Sequence, residues 1–346
     1  MSYIHTLLRP RIQQGYRLRR LYRSYLHRPT LHCGHRWPVV GSVQHGSTTP
    51  RPSPQGLLLS LLPISYFYHK SRGPKLDPYV YSDHVISSTT TLSPDHVLLT
   101  IPLSAASRES FSPNAPLPLG STTSHTPQNP ERDPAEITVQ HVMIKQPDLQ
   151  IERPYTPVND PGLDGEMRLV VKRVRGGEVG RMLHSRHANE LVGLRGPLTT
   201  FSIIPEAYDR IVMISSGTGV APFLQLLASL PPQSSDPTRK AGRYHLVHLK
   251  PDSEQVDWAA TSGLLPRLQE KLSYDLSTYR PEKIQKSSIQ KALGSSDRSH
   301  ILVLVCLPPH LMRPLCGLLG PNLEQGPITG ILGELGLDNR HVWKLE

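Results

Sequence analysis

Residues Arg210–Phe223 read RIVMISSGTGVAPF. The apolar run Ile211–Ile214 is what a parallel strand buried on both faces requires. The glycines after it let the backbone turn sharply and approach a ligand. Pro222 then suits the first turn of a helix, whose N-terminus favours anionic groups. The same rhythm continues downstream. Tyr244–Leu249 reads as a strand, Gly263–Leu272 and Ser288–Leu293 as helices, His300–Cys306 (HILVLVC) as a second buried strand, and Leu311–Leu319 as a helix. Alternation of this kind predicts a doubly wound parallel sheet over residues 206–346.

Upstream the texture differs. Pro94–Leu103, Glu136–Lys145, Glu166–Val174 and Leu191–Ile204 read as short strands separated by Pro and Gly turns, with little helical period. They predict an antiparallel barrel over residues 77–205. Residues 110–134 interrupt it with a Ser/Pro/Asn/Thr-rich run that cannot bury apolar area, so a disordered insertion is expected there. No internal repeat occurs.

The chain has 346 residues, and its formal charge of +10 is localised. Twelve of the 38 basic residues precede Asp77 and no acidic residue does, which leaves 26 basic against 28 acidic groups in the body. A nucleic-acid surface would have to lie on the leader, and none is expected on the body. Residues 1–56 are Arg-rich, acid-free and amphipathic from Ile4 to Leu26, the composition of a mitochondrial transit peptide. A basic arm, a membrane-surface helix and an unstructured tail share that composition. Residues 57–72 begin LLLSLLPISYFY, too short to span a bilayer but carrying the tyrosines and flanking cations of an interfacial anchor. Packing of that stretch on the body is the alternative. Cys33, Cys306 and Cys316 form no CxxC pair, so neither a disulfide framework nor a metal site is expected.

The Gly217-Thr218-Gly219 turn is neither a Walker A loop nor the GxGxxG fingerprint, so kinase and ordinary dehydrogenase chemistry lose support. Five segments then occur in a suggestive order: Arg153-Pro154-Tyr155-Thr156-Pro157-Val158, Gly180-Arg181-Met182, Gly196-Pro197, Gly217–Phe223, and Cys306-Leu307-Pro308-Pro309. The series resembles the ferredoxin-reductase-type flavoproteins, and specifically the NADH–cytochrome b5 reductase branch. The closing Gly333-Glu334-Leu335-Gly336 and His341-Val342-Trp343-Lys344-Leu345 resemble that branch too.

The resemblance implies a six-stranded antiparallel FAD-binding barrel followed by a pyridine-nucleotide domain, with FAD and NADH or NADPH as cofactors. It implies that Arg153 neutralises the FAD pyrophosphate, that Pro154 and Tyr155 lie against flavin and ribose, and that Thr156 hydrogen-bonds the reactive edge of the ring. Lys172 would face the nucleotide, and the backbone of Gly180, Arg181, Met182 and Leu183 would meet the pyrophosphate. Gly217, Thr218, Gly219 and Pro222 would bracket the nicotinamide, with Cys306 and Pro308 beside it. Thr156 and Cys306 are then the expected catalytic residues. Two positions depart from the family pattern: Leu183 stands where a hydroxyl residue is usual, and Leu307 where the family has glycine.

Lys250-Pro251-Asp252 after the second strand carries both charges, so only the branch resemblance favours NADH. The expected partner is a haem protein that accepts electrons, either cytochrome b5 or the cytochrome c/haem lyase system. The layout resembles the fungal mitochondrial flavoproteins that assist haem attachment to cytochrome c, held in the inner membrane facing the intermembrane space. A housekeeping reductase, or a docking protein whose hydride chemistry has decayed, is the alternative.

Overall fold

A computed structural model describes residues 74–111, 136–230, 243–250, 256–271, 274–294 and 298–345. The leader, the 57–72 segment and the insertion from 112 onward lie outside them. Ser110 and Phe111, which composition places in the insertion, are among the described residues. Ala105–Ser110 is a short helix capped by Ser104, and Phe111, which follows it, is buried in the barrel core.

Among the described residues seven strands precede residue 205: β1 Ser82–Val85, β2 Ser88–Ser93, β3 His96–Pro102, β4 Ile137–Gln146, β5 Ile151–Tyr155, β6 Glu166–Lys172 and β7 Leu191–Ile203. They form two antiparallel sheets, β1-β7-β4-β5 and β2-β3-β6. β1 and β2 are separated only by Ile86 and Ser87. Ile86 N–H bonds Glu190 C=O on one side, and Ser87 N–H bonds Thr100 C=O on the other. The chain therefore turns a corner between the sheets, and counting β1–β2 as one bent strand gives the expected six. Between the sheets lies a core that includes Leu99, Ile101, Ile144, Met167, Leu169 and Leu194. β1, β2 and β5 escape a reading by apolar pattern because they are short and polar: SDHV, STTTLS and IERPY.

A third sheet is parallel: β8 Arg210–Ser216, β9 Tyr244–Leu249, β10 Asp275–Tyr279, β11 Ile301–Cys306 and β12 Val342–Leu345, in the order β10-β9-β8-β11-β12. Alternate residues serve opposite faces. Ile211, Met213, Leu302, Leu304 and Cys306 join one core with the helix Ala221–Ala228. Val212, Ile214, Val303, Val305 and Leu307 join the other, with helices Lys286–Leu293 and Pro309–Cys316. The chain runs outward from β8 through β9 to β10, then returns to β11 beside β8. That reversal is the switch point at which doubly wound sheets open a crevice beyond their carboxyl ends.

The barrel and this sheet share a core. Val139, Val158, Val170 and Phe201 belong to the same buried cluster as Val220, Phe223 and Cys306. A side chain also mimics a strand across the junction. Gln225 Oε1 accepts from the Gln140 N–H at 2.6 Å, and Gln225 Nε2 donates to the Gln140 carbonyl at 3.0 Å. Both residues are buried, so removing that amide would strand two backbone groups away from water, at about 1–3 kcal/mol each. No helix of the described residues is long and apolar enough to cross a membrane.

Candidate flavin and nucleotide site

The turn Gly217–Val220 leaves the carboxyl end of β8, and Cys306 ends β11, so the switch point brings them together. The approach is close. A Cβ on Gly219 would stand 2.5 Å from the Cys306 carbonyl oxygen and 3.1 Å from its sulfur. Gly219 is thus required by this contact. Gly217 has a different reason: its φ is +54°, and a Cβ there would meet nothing within 4 Å. One glycine serves packing and the other conformation beside open space. Thr218 is half-buried between them, while Pro222 is buried in the first turn of the helix.

The barrel supplies the other wall. Arg153, Pro154 and Tyr155 close β5, the outermost strand of its sheet. β5 is held across β4 to β7 by Glu152, whose carboxylate accepts from Arg195 at 3.0 and 3.2 Å and from the Tyr81 hydroxyl. The Arg195 hydrogen bond holds the Glu152 carboxyl below its ordinary range. Arg153 is exposed, and among the described residues its guanidinium donates to the neighbouring Glu152 carbonyl at 2.8 Å and forms no ion pair. Tyr155 is half-buried, and burial pushes its phenol up to about 12, so it stays neutral. Thr156 is half-buried, and Val158, two residues on, packs into the core shared with Val220 and Cys306. Tyr155 itself packs against the barrel core, so the segment reaches the cluster of the glycine turn through Val158.

Gly180, Arg181, Met182 and Leu183 lie in a helix, Glu178–His184, that sequence periodicity did not foresee. Gly180 is needed because a Cβ would stand 2.8 Å from the Lys172 carbonyl, where the helix crosses the end of β6. The Arg181 N–H is already bonded to the Gly177 carbonyl, and the Arg181 side chain pairs with Glu178 in its own helix. Only the Glu178, Val179 and Gly180 N–H groups lie in the open first turn. Met182 packs against the barrel core, and Leu183 is completely buried within it. The Leu183 side chain is therefore a core element, not a cofactor contact. Lys172 is exposed at the end of β6, opposite His96. Gly196-Pro197 is a cis bond in mid-β7, where Gly196 packs against Val142.

Leu307 alters the expectation drawn from its bulk. Alternation along β11 turns it to the face opposite Cys306, where it packs with Leu249, Ile284, Leu311 and Leu315. The Cys306 side keeps its close approach to Gly219. Pro308 caps the helix that follows. One arrangement had no sequence signal. Ser215 Oγ lies 3.0 Å from His248 Nδ1, and His248 Nε2 lies 3.4 Å from Asp257 Oδ1. Ser215 and His248 are completely buried, so this is no hydrolytic triad. It ties β8, just before the glycine turn, to β9 and to the Asp257 cap of helix Trp258–Thr261.

Comparison with known proteins agrees with this geometry. The family described as "Oxidoreductase FAD-binding domain" matches residues 135–203. The NADH-cytochrome b5 reductase 2 of Meyerozyma guilliermondii is 30% identical over 205 residues, covering 56% of this chain and 67% of that protein. The Kluyveromyces lactis protein of the same name is 30% identical over 204 residues, covering 56% and 66%. Against that relative the chain thus spans just under two thirds of the length. The fold matches the cytochrome b5 reductase domain of Ulva prolifera nitrate reductase, with TM-score 0.50, 16% identity, 79% of this chain and 100% of that one. It also matches the CS-b5R domains of human Ncb5or, with TM-score 0.51, 17% identity, 77% and 70%.

Proposed function

The chain belongs to the NADH–cytochrome b5 reductase family of FAD-binding oxidoreductases, and from that premise we propose that it takes electrons from NAD(P)H through FAD to a haem protein. One observation carries the reading: the Gly217–Val220 turn is packed on Cys306 at the switch point, in a core shared with Val158, which follows the RPYT segment of the barrel.

The residues present fit the group. Arg153 offers an exposed cation for a pyrophosphate, Tyr155 a neutral aromatic face, and Gly217 a backbone without a side chain beside open space. Bound FAD would supply two-electron acceptance from a hydride and one-electron delivery to a haem partner. The chain's own work is positional. Arg153, Tyr155 and Thr156 orient the prosthetic group on the barrel. The carboxyl ends of β8 and β11 hold the nicotinamide side, and the shared core excludes water between them.

The docking-protein alternative rested on Leu183 and Leu307. Leu307 points into a hydrophobic core on the face away from Cys306, so its bulk does not crowd that side, whereas Leu183 packs in the barrel core and offers no hydroxyl. The finer reading remains the mitochondrial one, with the protein in the inner membrane facing the intermembrane space and supporting haem attachment to cytochrome c. The acid-free arginine-rich leader and the apolar 57–68 stretch support it. A housekeeping cytochrome b5 reductase would share the site but not require that leader.

The test is spectroscopic. The full chain, reconstituted with FAD, is expected to be yellow and to bleach anaerobically on addition of NADH or NADPH, then to reoxidise with cytochrome b5 or cytochrome c as acceptor. A colourless protein that cannot be reconstituted, or flavin that neither nucleotide bleaches, would overturn the reading. Arg153→Glu is expected to weaken FAD retention by about tenfold to a hundredfold, because a charge-assisted bond contributes about 1.5–3 kcal/mol. Flavin fluorescence released on dilution measures it. The melting temperature without FAD is expected to stay put, since Arg153 is exposed.

A further inference from the structure

We propose that Gln225 is a positioning residue for hydride transfer, its side-chain amide setting the spacing between the glycine turn and the RPYT edge of the barrel; this rests on the flavoprotein function proposed above.

The strand that carries Arg153-Pro154-Tyr155 runs beside β4 only from Val142 to Gln146. Beyond Tyr155 the chain passes to Thr156 and Pro157, and proline has no N–H with which to extend the ladder. Two residues back along β4, Gln225 takes the place that β5 gives up. Its Oε1 accepts from the Gln140 N–H at 2.6 Å, and its Nε2 donates to the Gln140 carbonyl at 3.0 Å. A primary amide offers the donor and acceptor of a peptide group, so this side chain serves as one further residue of strand. On the other side, the register of β4 against β7 shifts between Val139 and Gln140 and again between His141 and Met143. Such shifts bend a strand locally. With its ladder irregular on one side and ended on the other, this stretch of β4 is fixed by the Gln225 amide.

Gln225 is equally tied to the nucleotide side. It is the fifth residue of the helix Ala221–Ala228, which starts where the Gly217–Val220 turn ends. All eight helical residues are buried, and Gln225 is the one polar side chain among them. At about 1.5 Å of rise per residue, its place is about 6 Å along the axis from the turn. At the other end, Gln140 lies two residues, about 7 Å, from Val142, the register partner of Tyr155. A buried helix and a short piece of strand therefore connect Gly217–Val220 to Tyr155 through the two amide bonds. Around them the junction is hydrocarbon: Val139 and Phe201 from the barrel, Phe223 and Leu227 from the helix. Apolar contact holds the two parts together but has no direction. The amide supplies direction, because a slide of about 1 Å along β4 would break bonds whose preferred length is about 2.9 Å.

The full chain is loaded with FAD, and anaerobic bleaching is followed by stopped flow over a range of NADH and NADPH concentrations. Gln225→Met keeps the length of the side chain and removes both bonds. It is expected to lower the limiting bleaching rate about tenfold to a hundredfold, the cost of misplacing a reacting partner by about 1 Å. The half-saturating nucleotide concentration and the flavin content are expected to stay unchanged. Leu227→Ala, in the same helix, opens a cavity but leaves the amide in place. It is expected to melt earlier and still bleach at the wild-type limiting rate. Hydrogen exchange supplies a readout that needs no turnover: the Gln140 N–H is expected to be protected in the wild type and in Leu227→Ala, and to exchange about tenfold faster in Gln225→Met. If Gln225→Met does not fold, Gln225→Asn, polar but one methylene too short, is read in its place with the same expectation.

A wild-type limiting rate in the Gln225 variant overturns the inference and leaves the proposed function intact. So does an equal slowing in Leu227→Ala, a change confined to the half-saturating concentration, or a wild-type Gln140 N–H that exchanges freely. A wild-type chain whose flavin neither nucleotide bleaches overturns the function itself, and the inference with it.

Discussion

Acidification from about pH 7.5 to about pH 5 is expected to cost the fold about 2 kcal/mol for each of three buried barrel histidines. His84, His96 and His141 are 2%, 7% and 2% exposed, and burial lowers each imidazole from an ordinary 6.5 to about 4. Lys172 lowers His96 further, and Arg195 does the same for His141. Hydroxyls complete the environment: Ser82 Oγ lies 2.9 Å from His84 Nε2, Ser93 Oγ 2.8 Å from His96 Nδ1, and Thr200 Oγ1 2.9 Å from His141 Nδ1. Above pH 6.5 both folded and unfolded chains hold these rings neutral, and they contribute no pH dependence. Below it the unfolded chain takes up protons that the folded one refuses until about pH 4, so stability falls through that window. The three residues sit on β1, β3 and β4, so the barrel and any flavin it holds are expected to be lost first. Urea unfolding midpoints at several pH values measure the effect. A midpoint that stays level between neutrality and pH 5 would show that the rings protonate within the fold.

Gly219→Ala is expected to have the largest effect of any single methyl group at the site. The added Cβ would stand 2.5 Å from a backbone oxygen at the end of β11, an atom that cannot swing aside as a flexible side chain would. Overpacking of this kind costs about 1–3 kcal/mol, and relief requires the Gly217–Val220 turn to lift off Cys306. Displacing a reacting partner by about 1 Å costs about a hundredfold in rate, so nucleotide-driven flavin bleaching is expected to slow by that order. Gly217→Ala supplies the control. Its Cβ meets nothing within 4 Å, and its cost is the backbone strain of φ +54°, about 1–2 kcal/mol, with a smaller change in rate. Stopped-flow bleaching beside thermal melts separates the two. Equal rates in both variants would sink the assignment of the Gly219–Cys306 contact to the chemistry.

The buried parallel strands β8 and β11 were legible in the sequence because continuous apolar runs have few other homes in a folded chain. The glycine turn was legible too, since Gly217 adopts a conformation other residues resist. β10 was not. Its DLSTY forms an edge strand with no fully buried residue, and nothing in that composition separates it from a loop. Nor was the helix Glu178–His184, whose seven residues are too few for a 3.6-residue period to stand out.

Local pattern and motif order, properties of consecutive residues, by themselves determined the barrel, the doubly wound sheet and the family. Which way a side chain faces was settled only in three dimensions. Leu183 and Leu307 looked like intrusions on a cofactor until the core claimed both, because each is more stable against other hydrocarbon than in water. The junction of Gly219 with Cys306, the Ser215–His248–Asp257 tie and the bond from Lys250 to Tyr279 join residues from 9 to 87 positions apart along the chain. Such meetings depend on strand order within the sheet, which no stretch of sequence states and which packing of the whole domain selects.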